Sequence, residues 1–205
     1  MTKQLTLLGD SVIDNNPYVH GKDKPVTSHL MEMLPDWSID KRAIDGSLID
    51  DVINFQTERL NKSAPIVLSA GGNNLLKSSD IIQDQTEMTF NQAMLILKPI
   101  TDSFKRDYEL LLNHLNNPSL CFTIYNPAFN HYDETGFMSP YQEACEVTVN
   151  IFNDIIQRQV KKKGFDILEL RELFTEKNDY ANSIEPSHQG GRKIASSVKK
   201  WLEQV

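Results

Sequence analysis

The sequence predicts a three-layer α/β/α domain built on a doubly wound, five-stranded parallel sheet. Three observations predict it. Short apolar runs of strand length alternate with helix-patterned segments from end to end. The first and third runs stop at glycine, where a strand can turn into a following helix. No repeat, low-complexity tract or linker breaks the alternation, so one domain spans residues 1–205.

The elements follow in order. Residues 5–8 form the first strand, halted by Gly9. Residues 26–34 have helical spacing and end before Pro35, and residues 37–43 alternate as a second strand. Residues 48–60 carry a mainly helical pattern, and residues 65–69 (PIVLS) are a third strand stopped by Gly71-Gly72. The polar stretch 77–89 reads as an exposed loop with one helical turn at most. A long helix is expected over 92–115, kinked at Pro99, then a fourth strand over 120–125 (LCFTIY). After a loop over 126–139 comes a helix over 140–163, capped by Ser139 and closed by three lysines and Gly164. Residues 165–168 are a fifth strand, and 190–205 a closing amphipathic helix. Strands separated by helices imply parallel pairing with both sheet faces covered.

Composition bounds the function classes. The chain is 40% hydrophobic and 24% charged, ordinary for a globular protein, with a formal net charge of −7. That charge gives no broad basic face for nucleic acid. No run approaches a membrane span, and the N-terminus lacks the apolar core of a signal peptide, so a cytoplasmic protein is expected. Cys121 and Cys145 fall in apolar contexts and are expected to be buried thiols. There is no HExxH, CxxC, Gly-x-Gly-x-x-Gly or P-loop, so neither metal nor organic cofactor is implied.

Four polar segments follow strands: Gly9-Asp10-Ser11, Asp45-Gly46-Ser47, Gly71-Gly72-Asn73-Asn74 and Glu185-Pro186-Ser187-His188. In an open parallel sheet these ends share one edge, where ligands bind. Together they supply the parts of acyl transfer: a hydroxyl nucleophile, an imidazole, a carboxylate and oxyanion donors. Each segment alone also fits a turn or a helix cap.

Taken together, the four blocks resemble the SGNH hydrolases, or GDSL esterase/lipase family, named for Ser, Gly, Asn and His in separate blocks. The blocks stand in family order over nearly the whole chain. Val12 replaces the family's Leu, Asn74 its Asp after the Asn, and Glu185 its Asp before the His. The resemblance implies a flavodoxin-like sheet of order 2-1-3-4-5 and hydrolysis of carboxylic esters through an acyl-enzyme. It makes Ser11 the nucleophile, His188 the base and Glu185 its orienting carboxylate. It makes the Ser11 and Gly46 N–H groups and the Asn73 amide the oxyanion hole. The partner is then a small-molecule ester, with acetyl or short acyl groups favoured. His131, in the loop after the fourth strand, is an alternative base. A non-catalytic binding domain on the same fold is the other reading, favoured by Asn74 and Glu185.

Overall fold

Strand β1 (Lys3–Gly9) is buried on both faces over its last five residues, apolar apart from Thr6, as suits a central strand. In the computed structural model, which describes residues 3–83, 88–116, 118–132 and 139–205, it pairs in parallel with two neighbours. These are β2 (Trp37–Lys41) and β3 (Ile66–Ser69). Beyond β3 lie β4 (Ser119–Phe122) and β5 (Asp166–Leu168), giving the parallel order β2-β1-β3-β4-β5. The expected sheet and its order are therefore present.

Alternate strand residues feed two cores. Leu5, Leu7, Val67, Leu120 and Phe122 share a core with α1 (Val26–Met33), the short α7 (Leu170–Leu173) and α8 (His188–Leu202). The opposite core joins Leu8, Ile66, Leu68 and Cys121 to Phe104, Tyr108 and Leu111 of α4 (Phe90–Asn113) and to Phe152 and Ile156 of α6 (Ser139–Lys163). Helix α8 carries Ile194, Ala195, Val198, Trp201 and Leu202 on its buried stripe.

Three elements differ from expectation. The segment over 48–60 is only α2 (Ile49–Asp51) and one π-type turn to Gln56, a geometry associated with functional sites. The stretch 77–89 is not a loop throughout: α3 (Gly72–Gln83) runs into it, and Thr89 caps α4 by accepting from the Gln92 N–H. Residues 84–87 lie outside the described residues. The long helix expected around Pro99 is present as α4, with Pro99 inside it. Strand β4 ends at Phe122; the Thr123 N–H still donates to the Leu168 carbonyl at 3.0 Å, and at Ile124 Asn153 of α6 takes over both backbone groups, donating to the carbonyl at 2.7 Å and accepting from the N–H at 2.8 Å. No helix among the described residues is long and apolar enough to cross a membrane.

Candidate active site

The turn after β1 is forced by Gly9. Its φ is +130°, and a Cβ there would stand 1.8 Å from the Ser69 carbonyl oxygen on β3. Gln56, buried on the π-type turn, clamps this residue on both sides. Its Oε1 accepts from the Gly9 N–H at 2.7 Å, and its Nε2 donates to the Gly9 carbonyl at 2.9 Å. The same amide reaches the Ser47 hydroxyl at 3.1 Å, tying the first block to the second. The helical turn in residues 48–60 carries no motif, so no sequence signal singled out Gln56.

Asp10 follows, almost fully buried. One of its oxygens accepts from the Ser69 hydroxyl at 2.9 Å and from the Val12 N–H at 3.2 Å. Ser11 is next, 7% exposed, and opens into a cavity of about 330 Å³. Asp10, Asn73 and Glu185 also line it, while its walls are mainly apolar: Leu75 and Leu76 of α3, Ile124 after β4, and Tyr141, Ala144 and Val149 of α6. Cys145 lies on the same wall, half-buried rather than buried as expected.

Asn73 donates through Nδ2 to the Ser47 carbonyl at 3.0 Å, and Asn74 accepts from the Ile49 N–H at 3.0 Å. The two asparagines thus hold the turn containing Gly46, whose φ is +77°. Gly46 itself is exposed and is not among the residues lining the cavity.

The last block is arranged otherwise than the resemblance implied. Glu185 does not orient His188. Its carboxyl meets the Ser11 hydroxyl, and its Oε2 is buried without a hydrogen-bond partner. The His188 Nδ1 instead accepts from the Lys24 N–H at 2.8 Å, and the ring lies 4.6 Å from that of His29. A nitrogen that accepts from an amide carries no proton, so it cannot donate to a carboxylate as a triad histidine does. The physical reason is local. Ser187 caps α8 by accepting from the Gln189 and Gly190 N–H groups, in extended backbone, and Pro186 bridges antiparallel to Tyr180. Side chains of an extended segment alternate, so residues 185 and 188 leave on opposite sides.

Glu185 is fixed by several contacts. Asn182 Oδ1 accepts from its N–H at 3.0 Å, Ala181 donates to its carbonyl at 2.8 Å, and the Asn15 amide holds the Pro186 carbonyl at 3.0 Å. Asn15 is buried and also receives the Val26 N–H, so it joins the nucleophile turn to the last block. His131, the alternative base, is exposed on α5 (Phe129–Tyr132) and edge-on to Tyr180. Its neighbours Asp133 and Glu134 lie outside the described residues.

Both carboxyls beside Ser11 are held toward the neutral form. Burial pushes Asp10 from 3.8 up to about 7, against the lowering effect of the Ser69 and Val12 hydrogen bonds. Burial raises Glu185 from 4.5 to about 7, opposed by the Ser11 hydroxyl and reinforced by the charges of Asp10 and Asp45. Between about pH 4 and 7 the folded protein therefore binds more protons at these groups than the unfolded chain, and their contribution to stability falls as pH rises. Above about pH 7 the full cost is present. Glu185→Gln is expected to be more stable than wild type at pH 8 by about 1–3 kcal/mol and indistinguishable at pH 4. Thermal unfolding of both proteins across this range checks it. A variant less stable at pH 8 contradicts the raised carboxyl.

Among the described residues no group of three or more His, Cys, Asp or Glu side chains could hold a metal ion. No protein-family model matches the chain, and no curated protein sequence matches it. Solved structures do. A lipase/acylhydrolase from Enterococcus faecalis superposes with a TM-score of 0.69 at 10% identity, covering 98% of this chain and 96% of that one. A member of the lipolytic G-D-S-L family from Veillonella parvula gives 0.66 at 11% identity, with 99% and 100% covered. An acetyl xylan esterase from Geobacillus stearothermophilus gives 0.64 at 13% identity, with 97% and 93% covered. The five-stranded parallel sheet with helices on both faces is thus the α/β/α fold of the SGNH, or GDSL, hydrolases.

Proposed function

We infer that the protein hydrolyses carboxylic esters through an acyl-enzyme on Ser11. The observation that carries this reading is a serine hydroxyl that opens into a mainly apolar cavity, acts on the carboxyl of Glu185 and shares the cavity with the Asn73 side chain. Structures with this fold include lipases and acetyl xylan esterases, which act on ester bonds. Ser11 Oγ attacks the ester carbonyl. The Ser11 N–H and the Asn73 amide, which also holds the turn containing Gly46, donate to the developing oxyanion. The acyl group occupies the apolar cavity. At about 330 Å³ it lies near the lower end of small-molecule sites, roughly 300–1,000 Å³. That favours acetyl or short acyl groups on a small-molecule ester.

A non-catalytic domain that binds a small apolar ligand is the second reading. The engagement of His188 with Lys24 and His29 favours it. A fluorophosphonate probe separates the two, because only an activated serine reacts. Intact mass and peptide mapping are expected to give one adduct, on Ser11, lost in Ser11→Ala. p-Nitrophenyl acetate or butyrate is expected to turn over faster than palmitate. A folded protein without an adduct on Ser11 refutes the esterase reading. A preference for palmitate refutes the short-acyl assignment.

A further inference from the structure

We propose that Glu185, not an imidazole, is the group that takes the proton from Ser11. The proposal rests on the reading of Ser11 as nucleophile. Three features of the geometry carry it. The carboxyl of Glu185 meets the Ser11 hydroxyl inside the cavity. Its second oxygen, Oε2, is buried and has no hydrogen-bond partner, so the carboxyl is not consumed by a structural role. The imidazole of His188 is held elsewhere, with Nδ1 accepting from Lys24 and its ring beside His29.

A carboxylate is ordinarily a weak base toward an alcohol, and this site counters that weakness. The acidic groups acting on Glu185 are Asp10 and Asp45, which raise it as far as they are ionised, and Tyr18 and Tyr125 are the titratable hydroxyls that feel its charge. No cation is among them. Burial and these like charges bring Glu185 to about 7, where a general base is most effective at neutral pH. Tyr125 fixes the approach by donating to the Ile184 carbonyl at 2.6 Å.

The proton balance closes. In acylation Glu185 accepts the Ser11 proton as the bond from Oγ to the carbonyl carbon forms. It returns that proton to the alkoxide oxygen as the ester C–O bond breaks. In deacylation it takes a proton from water as the water oxygen attacks the acyl carbon. It then gives that proton to Ser11 Oγ as the acyl–serine bond breaks.

The test measures fluorophosphonate labelling of Ser11 and hydrolysis of p-nitrophenyl butyrate in wild type, Glu185→Gln and His188→Gln. Glu185→Gln is expected to lose at least about a hundredfold in both assays with its fold intact. His188→Gln is expected to stay within about threefold of wild type. Wild-type kcat/KM is expected to rise with pH through about 7. Its midpoint is expected to hold nearly constant on warming, because carboxyl ionisation has little enthalpy. An imidazole midpoint falls on warming, so a falling midpoint overturns the proposal. So does a Glu185→Gln protein that keeps wild-type rates. If Glu185→Gln fails to fold, the wild-type midpoint decides alone. Wild-type protein unlabelled at Ser11 refutes the esterase reading and this proposal with it, and that failure is visible without any Glu185 variant.

Discussion

Gly9→Ala is expected to cost the protein at least about 4 kcal/mol, the exceptional end of single substitutions. Two effects add. A φ of +130° is strained for any residue with a Cβ. The new methyl would also lie 1.8 Å from the Ser69 carbonyl oxygen and 2.7 Å from its carbon. Those atoms are backbone, and Gly9 is paired with Ser69 in the β1–β3 ladder, so neither strand can step aside without losing sheet pairing. The Gln56 clamp on both Gly9 backbone groups would be displaced as well. A cost of this size lowers the unfolding temperature by roughly 8–16 °C for a domain of this length. Thermal unfolding followed by circular dichroism measures it. A variant that unfolds within a degree or two of wild type would mean that the turn before Ser11 does not need glycine.

The sheet was legible because its signals are local and redundant. A buried parallel strand must be apolar on both faces, so runs such as 65–69 stand out. Failures came where a side chain from a distant segment decides the backbone. Just past β4 the backbone groups of Ile124 go to Asn153, some thirty residues away, and no pattern within LCFTIY carries that information. The shortened segment at residues 48–60 is similar: its apolar spacing suits a longer helix, while the π-type turn places Gln56 on Gly9.

In the candidate site the residue types were legible and their partners were not. Spacing put Ser11, Asn73 and Glu185 at one edge, and all three line one cavity. The family resemblance also implied that Glu185 would orient His188, three residues on. That holds on a helix, where such pairs share a face. Here α8 begins only at His188, and Glu185 lies in the extended segment before the Ser187 cap. Capping serine and preceding proline are both visible in the sequence, and together they are the signal that places the two side chains on opposite sides. The apolar wall from α6 left no comparable trace, because a residue such as Ala144 or Val149 reads the same whether it faces a core or a cavity.

Asn73→Ala is expected to lower kcat toward short-chain esters by ~10²–10³, with KM changed far less. The Asn73 amide has two N–H donors. One goes to the Ser47 carbonyl at 3.0 Å, which orients the group, and the side chain lines the cavity that Ser11 opens into. A donor fixed in this way needs no reorganisation when negative charge develops on the carbonyl oxygen, and that saving appears in the transition state rather than in substrate binding. Losing the Ser47 hydrogen bond should cost only about 1 kcal/mol of stability. Asn74→Ala is the control, because Asn74 anchors the same turn through the Ile49 N–H but does not line the cavity. If the asparagines act only by holding the turn, the two variants lose similar amounts of kcat. If Asn73 donates to the oxyanion, its variant alone falls by orders of magnitude, and its labelling by fluorophosphonate slows in step. Asn73→Asp sharpens the contrast, since it keeps the shape while replacing a donor with a group that repels the oxyanion. Wild-type kcat in Asn73→Ala would remove Asn73 from the reaction.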